Sequence, residues 1–258
     1  MTEHRPTSSG EPALSLDDPA LTDSRVDLIR RKPYLRNVYD EWYRRLVREL
    51  PSGDGLVLEI GSGAGFLSDY VPGLVTSDVM PVRNVELVFD ACKEIPMPRL
   101  SLRAIAMVNV LHHLPNVSAF FDAATTALRP GGRIVMIEPW NTGWSRLIYN
   151  NVHHESFEPN TKEWTFATSG PLSGANGALP WIVFARDYRT FEHRHPKLCL
   201  KTLKPLMPFT YLLSGGFTAP SLASAWAYRI IRGLERVTAL DARAGMFATI
   251  TLEKRNDI

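Results

Sequence analysis

The sequence predicts an α/β fold, with a seven-stranded, mostly parallel sheet between helical layers and an antiparallel last strand. Three observations predict it. Short apolar runs bounded by turn residues recur along the chain and suit strands buried on both faces. Segments of helical periodicity alternate with them, as a parallel sheet with right-handed crossovers requires. The first run, "LVLEI" at 56–60, breaks into "GSGAG", at the place where an open parallel sheet holds its ligand.

Residues 1–24 are rich in Pro, Ser, Thr and acids and lack the apolar core of a signal peptide, so a disordered tail is expected there. Residues 25–50 place Leu35, Val38, Trp42, Leu46 and Leu50 at helical spacing with arginines opposite, predicting a helical cover ahead of the first strand. After the glycines, "GFLSDYVP" reads as a short helix. "GLVTSDV" reads as a second strand ending at Asp78, "VELVFDA" as a third ending near Asp90, and "AIAMVNVL" as a fourth. "VSAFFDAATTALRP" is a helix stopped by Pro130 and Gly131, and "GRIVMIEP" is a fifth strand.

Residues 140–180 are rich in Asn, Gly, Ser and aromatics and too long for a plain connection, which predicts a lid over the active-site edge, with the loop "SGPLSGANGALP" as its mobile part. A helix near "RDYRTFEHRHP", a strand near "LCLKTLKPL", a basic amphipathic helix within "LASAWAYRIIRGLERVTAL" and a strand at "MFATITLEK" complete the chain. Residues 25–258 are thus expected to be one domain, in which 205–240 is an apolar to amphipathic segment on the substrate side.

The chain of 258 residues is 45% hydrophobic and 22% charged, which is ordinary globular composition, and its net charge of +2 gives no electrostatic case for nucleic acid. Cys92 and Cys199 have neither disulfide density nor metal-ligand spacing, so the sequence assigns no metal site and a reducing, cytoplasmic location is expected. Residues 205–228 are uncharged over a length that could span a bilayer, but Pro205, Pro208, Gly215, Gly216 and Pro220 would break a spanning helix. The arginine-bearing helix that follows could touch a membrane surface. Its plainer reading is a covering helix with a solvated basic face.

A dinucleotide fingerprint needs a small third residue in G-x-G-x-x-G/A, and Phe66 stands in that place. The chain instead carries Glu59, Gly61, Gly63 and Gly65, then Asp78, "FDA", "NVLHHL" and "LRPGGRIVMIEP" in order. That set resembles the class I S-adenosylmethionine-dependent methyltransferases, in their small-molecule, type 11-like branch, strongly over residues 54–140 and weakly at the last strand. The resemblance implies a Rossmann-like three-layer sandwich with S-adenosyl-L-methionine as cofactor. Gly61, Gly63 and Gly65 would pass under its methionine and ribose parts, and Glu59 would orient the loop or the ammonium. Asp78 would accept from the ribose hydroxyls, Asp90 would contact the adenine amino group, Ala91 the ring through its backbone, and Asn109 the methionine end.

The implied reaction is methyl transfer to a small or amphiphilic metabolite, lipid- or saccharide-linked ones included. Oxygen is favoured as acceptor because histidines are at hand as bases. His112 and His113 close the fourth strand, and His153 and His154 lie in the insertion. Each pair could equally be packing or surface residues, and no catalytic residue is assigned. Glu138 is a weaker candidate base, Arg36 or Lys32 could pair with the methionine carboxylate, and His193 and His195 read as surface residues. "NVLHHLP" lacks the Asn/Asp/Ser-Pro-Pro-aromatic pattern of DNA adenine and protein glutamine methylation. Two alternatives stand beside this reading. One is an NAD(P)-dependent oxidoreductase, since Asp78 would suit a nicotinamide ribose, though Phe66 and the lack of Tyr-x-x-x-Lys count against it. The other is a non-catalytic S-adenosylmethionine-binding partner subunit. The acceptor and the oligomeric state are left open.

Overall fold

The computed structural model describes residues 17–152 and 155–256. Two helices precede the sheet, α1 (Pro19–Arg31) and α2 (Pro33–Glu49). Pro33 explains the break between them: it lacks the N–H that a continuous helix needs, and it suits the first turn of the second helix. The cover thus starts earlier than the expected boundary at residue 25, because Asp18 caps α1 by accepting from the Ala20 N–H at 2.9 Å. The remainder of the expected tail, residues 1–16, lies outside the described residues.

Strand β1 (Leu56–Ile60) leads into the glycine loop and a single 3-10 turn at Leu67–Asp69, where a short helix was expected. Then come β2 (Leu74–Asp78), β3 (Leu87–Val88), β4 (Leu102–Val108), a 3-10 turn at Leu111–His113, α3 (Val117–Ala127) and β5 (Leu128–Pro139). Strand β3 is shorter than its apolar run because it lies at the sheet edge and pairs on one side only. The insertion holds α4 (Gly143–Val152) and ends in α5 (Leu179–Trp181), which runs on as a π-helical turn, Ile182–Arg186. The chain finishes with α6 (Tyr188–Arg194), β6 (Leu198–Leu206), α7 (Thr210–Leu213), α8 (Ala227–Val237), α9 (Leu240–Ala244) and β7 (Phe247–Lys254).

The seven strands form one sheet in the order β3-β2-β1-β4-β5-β7-β6. Strands β1 to β5 pair in parallel, while β7 runs antiparallel to both β5 and β6. The expected sheet is therefore present. Its middle is dry: Leu58, Ala104, Ile105, Ala106 and Ile134 through Ile137 are fully buried, as strands covered by helices on both faces must be. The crossover β1-to-β2 leaves the ends of β1, β4 and β5 open on one edge, beside the switch in strand order, and the glycine loop, "NVLHHL" and Glu138 meet there.

Helix α8 departs from expectation. A solvated basic face was the plain reading, yet Arg232 is 2% exposed and the side turned inward is ionic. Arg232 donates to Glu41 Oε2 at 3.1 Å and Oε1 at 2.9 Å, to Asp241 Oδ1 at 2.9 Å, and to Glu235. Tyr228 donates to Glu41 Oε2 at 2.9 Å. With Arg232 and Glu235 turned inward, Trp226 and the α8 residues Ile230, Leu234 and Val237 face outward beside exposed Arg229, exposed by 74%, 56%, 60% and 86%.

Candidate active site

The glycine loop is shaped by close approach. Gly61 and Gly63 take φ of +68° and +45°, where a Cβ is strained, and a Cβ on Gly61 would also collide with Val110. At Gly65 a Cβ would lie 2.6 Å from Tyr43 Oη and 2.8 Å from the Ser62 carbonyl. Phe66 is held by Tyr43, edge-on at 4.9 Å, and by the Arg36 guanidinium 4.2 Å above its ring. Arg36 is thus occupied by Phe66, with Asp40 and Asp69 each at 3.8 Å. Lys32 is occupied as well, donating to the carbonyls of Gly216 at 2.5 Å and Ala219 at 2.6 Å.

Two buried carboxyls flank the loop. Burial pushes Glu59 up to about 7, helped by the charge of Asp78 and opposed by a hydrogen bond from Ser62. Asp78 is also raised by burial, against the N–H donors of Met80, Gly63 and Val79. Its Oδ2 accepts from Gly63 N at 3.0 Å and its Oδ1 from Met80 N at 3.0 Å, so it ties the loop to the end of β2. Asp90 is partly exposed, accepting from Cys92 N at 2.9 Å with Lys93 Nζ at 3.4 Å, and Ala91 beside it is buried. Asn109 has φ of +56°, and its buried Oδ1 has no hydrogen-bond partner among the described residues. An orphaned acceptor, left-handed glycines and a carboxyl poised to ionise fit a ligand that brings hydrogen-bond donors and positive charge.

The approach to this cradle is roofed by α1. Thr22 would lie 3.6 Å from a Cβ on Gly63, and Asp23 accepts from Arg83 N at 2.9 Å. The cavity beneath, lined by Glu59, Ser62, Gly63, Gly65 and Phe66, measures about 220 Å³, and its lining leaves out Asp78, Asp90, Ala91 and Asn109. That is below the ~300 Å³ of an ordinary ligand pocket. Residues 19–24 of this roof fall within the segment expected to be a disordered tail.

Beyond the loop, Glu138 organises the end of β4. Fully buried, it accepts from Val110 N and Leu111 N at 2.8 Å each through Oε1, and its Oε2 lies 2.7 Å from His112 Nδ1. Its oxygens are fully engaged, so Glu138 is a positioning group and not the candidate base it resembled in the sequence. His112 Nε2 is 3.4 Å from Glu155 Oε2, and His113 Nε2 is 3.9 Å from Glu155 Oε1. Burial pushes His112 down, but the hydrogen bonds and charges of Glu138 and Glu155 outweigh it and hold the ring near 9. Burial and the charge on His112 push His113 down to about 4.

The insertion supplies the outer wall. The Asn176 N–H donates to the His112 carbonyl at 3.0 Å, Phe166 N to the Pro115 carbonyl at 3.2 Å, and the Gly174 carbonyl lies 3.3 Å from His113 Nδ1. Leu172 N donates to Asp17 Oδ1 at 2.6 Å, so the loop meets the end of α1 above the site. Asn176 through Pro180 are buried; the outward part of this loop is its tip around Thr168–Ser173. His153 and His154 lie outside the described residues. His195, read as a surface residue, is buried against Phe121 with Asp122 at 3.3 Å, and His193 is exposed.

Residues 58–136 match the family model described as a methyltransferase domain. Over these residues the chain carries a methyltransferase domain. The match spans β1 to β5, the part of the methyltransferase that bears the glycine loop and the carboxyls. No curated protein matches the sequence significantly. Among solved structures, one similar chain is from the complex between the Haloferax volcanii Trm112 methyltransferase activator and its methyltransferase. It is 12% identical, with a TM-score of 0.53, over 92% of this chain and 97% of that one. A SAM dependent methyltransferase from Archaeoglobus fulgidus is 13% identical with a TM-score of 0.50, over 85% of this chain and 94% of that one. Geranyl diphosphate C-methyltransferase from Streptomyces coelicolor A3(2) is 14% identical with a TM-score of 0.49, over 96% and 86%. The first two likenesses show that the fold extends over nearly the whole methyltransferase chain. The NAD(P)-dependent alternative gives way to the family match, with S-adenosylmethionine as cofactor.

Three residues that border this candidate site are not marked as such in the sequence: Thr22 on the roof, Gly174 through its carbonyl, and Glu155. Glu155 had a visible signal, since it directly follows the candidate pair His153 and His154 in "HHE".

Proposed function

We propose that this methyltransferase methylates a hydroxyl of an amphiphilic metabolite held at an anionic membrane surface. The observation that carries the reading is the outward face of α8. Trp226, Ile230, Leu234 and Val237 are all exposed, and Leu222 just before them is 74% exposed. Arg229 and Arg236 of the same helix are exposed, whereas Glu235 and Asp241 are bound to Arg232 on the inner side. An apolar stripe with an interfacial Trp and a basic rim fits the headgroup region of an anionic bilayer. No helix among the described residues is long and apolar enough to cross one.

The neighbouring segment borders a hollow. A hollow of about 470 Å³ opens between Leu28, Arg31 and Lys32 on one side and Phe217, Ala219 and Pro220 on the other. Tyr211 stacks on Trp42 at 5.7 Å, and Trp144 of the insertion donates to the Pro208 carbonyl at 2.7 Å. In this reading an acyl chain lies in the hollow and its polar hydroxyl faces His113 and Glu155, the polar groups beside which it can shed its proton.

The cofactor supplies a methyl group activated on a sulfonium. In this reading Gly61, Gly63 and Gly65 let the backbone approach it, Glu59 takes its ammonium, and Asp78 its ribose hydroxyls. Asp90 and Ala91 take the adenine, and Asn109 Oδ1 the methionine end. The chain's own work is alignment and water exclusion, by α1 and the Thr168–Ser173 tip.

Vesicle co-sedimentation tests the membrane claim. The protein is expected to bind phosphatidylglycerol vesicles, to bind phosphatidylcholine vesicles weakly, and to lose both on double substitution Trp226→Asp, Ile230→Asp. Wild-type protein that stays in the supernatant with anionic vesicles would overturn it.

A further inference from the structure

The geometry points to a divalent metal site formed by His112, His113 and Glu155. One ligand atom from each lies within 4.8 Å of the other two. The first edge, His112 Nε2 to Glu155 Oε2, is 3.4 Å, and the second, His113 Nε2 to Glu155 Oε1, is 3.9 Å. A metal with bonds of about 2.0–2.2 Å holds neighbouring ligand atoms roughly 3.0–3.5 Å apart. The first edge already has that length. Glu155, with its side chain 36% exposed, can move inward to shorten its own edges, and the His112–His113 edge lies within 4.8 Å.

The fixing is the second, independent observation. His112 Nδ1 faces a carboxylate oxygen of Glu138 at 2.7 Å, and His113 Nδ1 faces the Gly174 carbonyl at 3.3 Å. Both partners are acceptors, so each Nδ1 carries a hydrogen, and each Nε2 can present a lone pair towards Glu155. Outer partners that orient the ligating imidazole in this way are the usual support of a metal-binding histidine. Glu138 is itself immobilised by the Val110 and Leu111 N–H groups, so the support is built before any ion arrives.

Two imidazoles and one carboxylate form a borderline donor set that suits Zn²⁺ or Fe²⁺ better than Mg²⁺. Three protein ligands leave positions open, the arrangement of a catalytic ion and not of a structural one. Spacing within the sequence could not show it, because the ligands come from the end of β4 and from the insertion, more than forty residues apart. If the acceptor is a hydroxyl, as proposed above, an ion here would lower its pKa. The O–H proton would pass to water, the oxygen–methyl bond would form, and the sulfur–methyl bond would break to leave a neutral thioether. That use rests on the hydroxyl reading; the binding of the ion does not.

A proton is the competing occupant, since an imidazole between two carboxylates can hold either. Titration of chelator-treated full-length protein with Zn²⁺ by calorimetry, and with Co²⁺ by visible absorption, distinguishes them without acceptor or turnover. One Zn²⁺ per chain is expected, together with Co²⁺ d–d bands. His113→Ala and Glu155→Gln should each weaken Zn²⁺ by at least about tenfold, and Glu138→Gln by about 10–100-fold. Exposed Glu155→Gln keeps the test valid should the buried variants fail to fold, and His193→Ala should change nothing. Absence of one-to-one binding at micromolar Zn²⁺ would overturn the site. So would binding that survives both His113→Ala and Glu155→Gln, or that is lost only when His153 and His154 are replaced.

Discussion

Glu59 gives a prediction whose size follows from its surroundings. Its carboxyl is held near 7 in the free protein by burial, with the charge of Asp78 adding to it. If Glu59 takes the ammonium, as proposed above, the cation reverses the preference and cofactor binding ionises the group. Apparent affinity for S-adenosylhomocysteine should then follow the ionised fraction of the free protein. Between about pH 6 and about pH 7.5 that fraction rises from roughly a tenth to roughly three quarters, which is about eightfold, or about 1.2 kcal/mol. The stability of the free protein moves the other way. The folded carboxyl has a higher pKa than the unfolded one, so the folded state binds more protons between about 4.5 and 7, and stability from this group falls as pH rises through that window. Calorimetric titration at the two pH values, with wild type and Glu59→Gln, checks the first effect. Urea unfolding of the same pair checks the second. The reasoning fails if wild-type affinity is flat with pH, or if Glu59→Gln shows the same slope.

Three further outcomes are expected. Asp78→Ala should weaken S-adenosylhomocysteine binding by about 1–3 kcal/mol in calorimetry, since charge-assisted hydrogen bonds to ribose are lost and the Gly63 N–H is released. Arg232→Ala should cost about 3–5 kcal/mol in urea unfolding, because Glu235 and Asp241 lose their cation beside a buried hole while Glu41 keeps Arg45 and Arg236. Gly61→Ala should abolish cofactor binding while leaving far-ultraviolet circular dichroism unchanged, since its Cβ would meet Val110 at φ of +68°.

What the sequence made legible was local. "LVLEI" and "AIAMVNVL" name their own burial, and Gly61 and Gly63 name a left-handed loop, since a few adjacent residues decide each. Helix α8 was misread because its orientation is decided far away. The partner that pulls Arg232 inward is Glu41, 191 residues earlier, and no periodicity within 227–237 carries that information. Glu138 shows the same limit on a smaller scale. As a residue ending a strand it looks like an available carboxylate, and only the return of "VLHH" over it, 26 to 28 residues away, consumes its oxygens. Glu155 was overlooked beside two histidines because its role depends on His112 and His113. The roof by α1 depends on Thr22 reaching Gly63, a contact that helix α1 alone does not encode.

The central claim is methyl transfer to an amphiphilic hydroxyl, and isotope transfer tests it most directly. The protein is incubated with S-adenosylmethionine bearing a trideuterated methyl group and a whole-cell extract, then divided into lipid and aqueous fractions for mass spectrometry. S-adenosylhomocysteine formation is expected, with the label in the lipid fraction as a methyl ether. Label confined to water-soluble products, or attached to nitrogen or carbon, would contradict it.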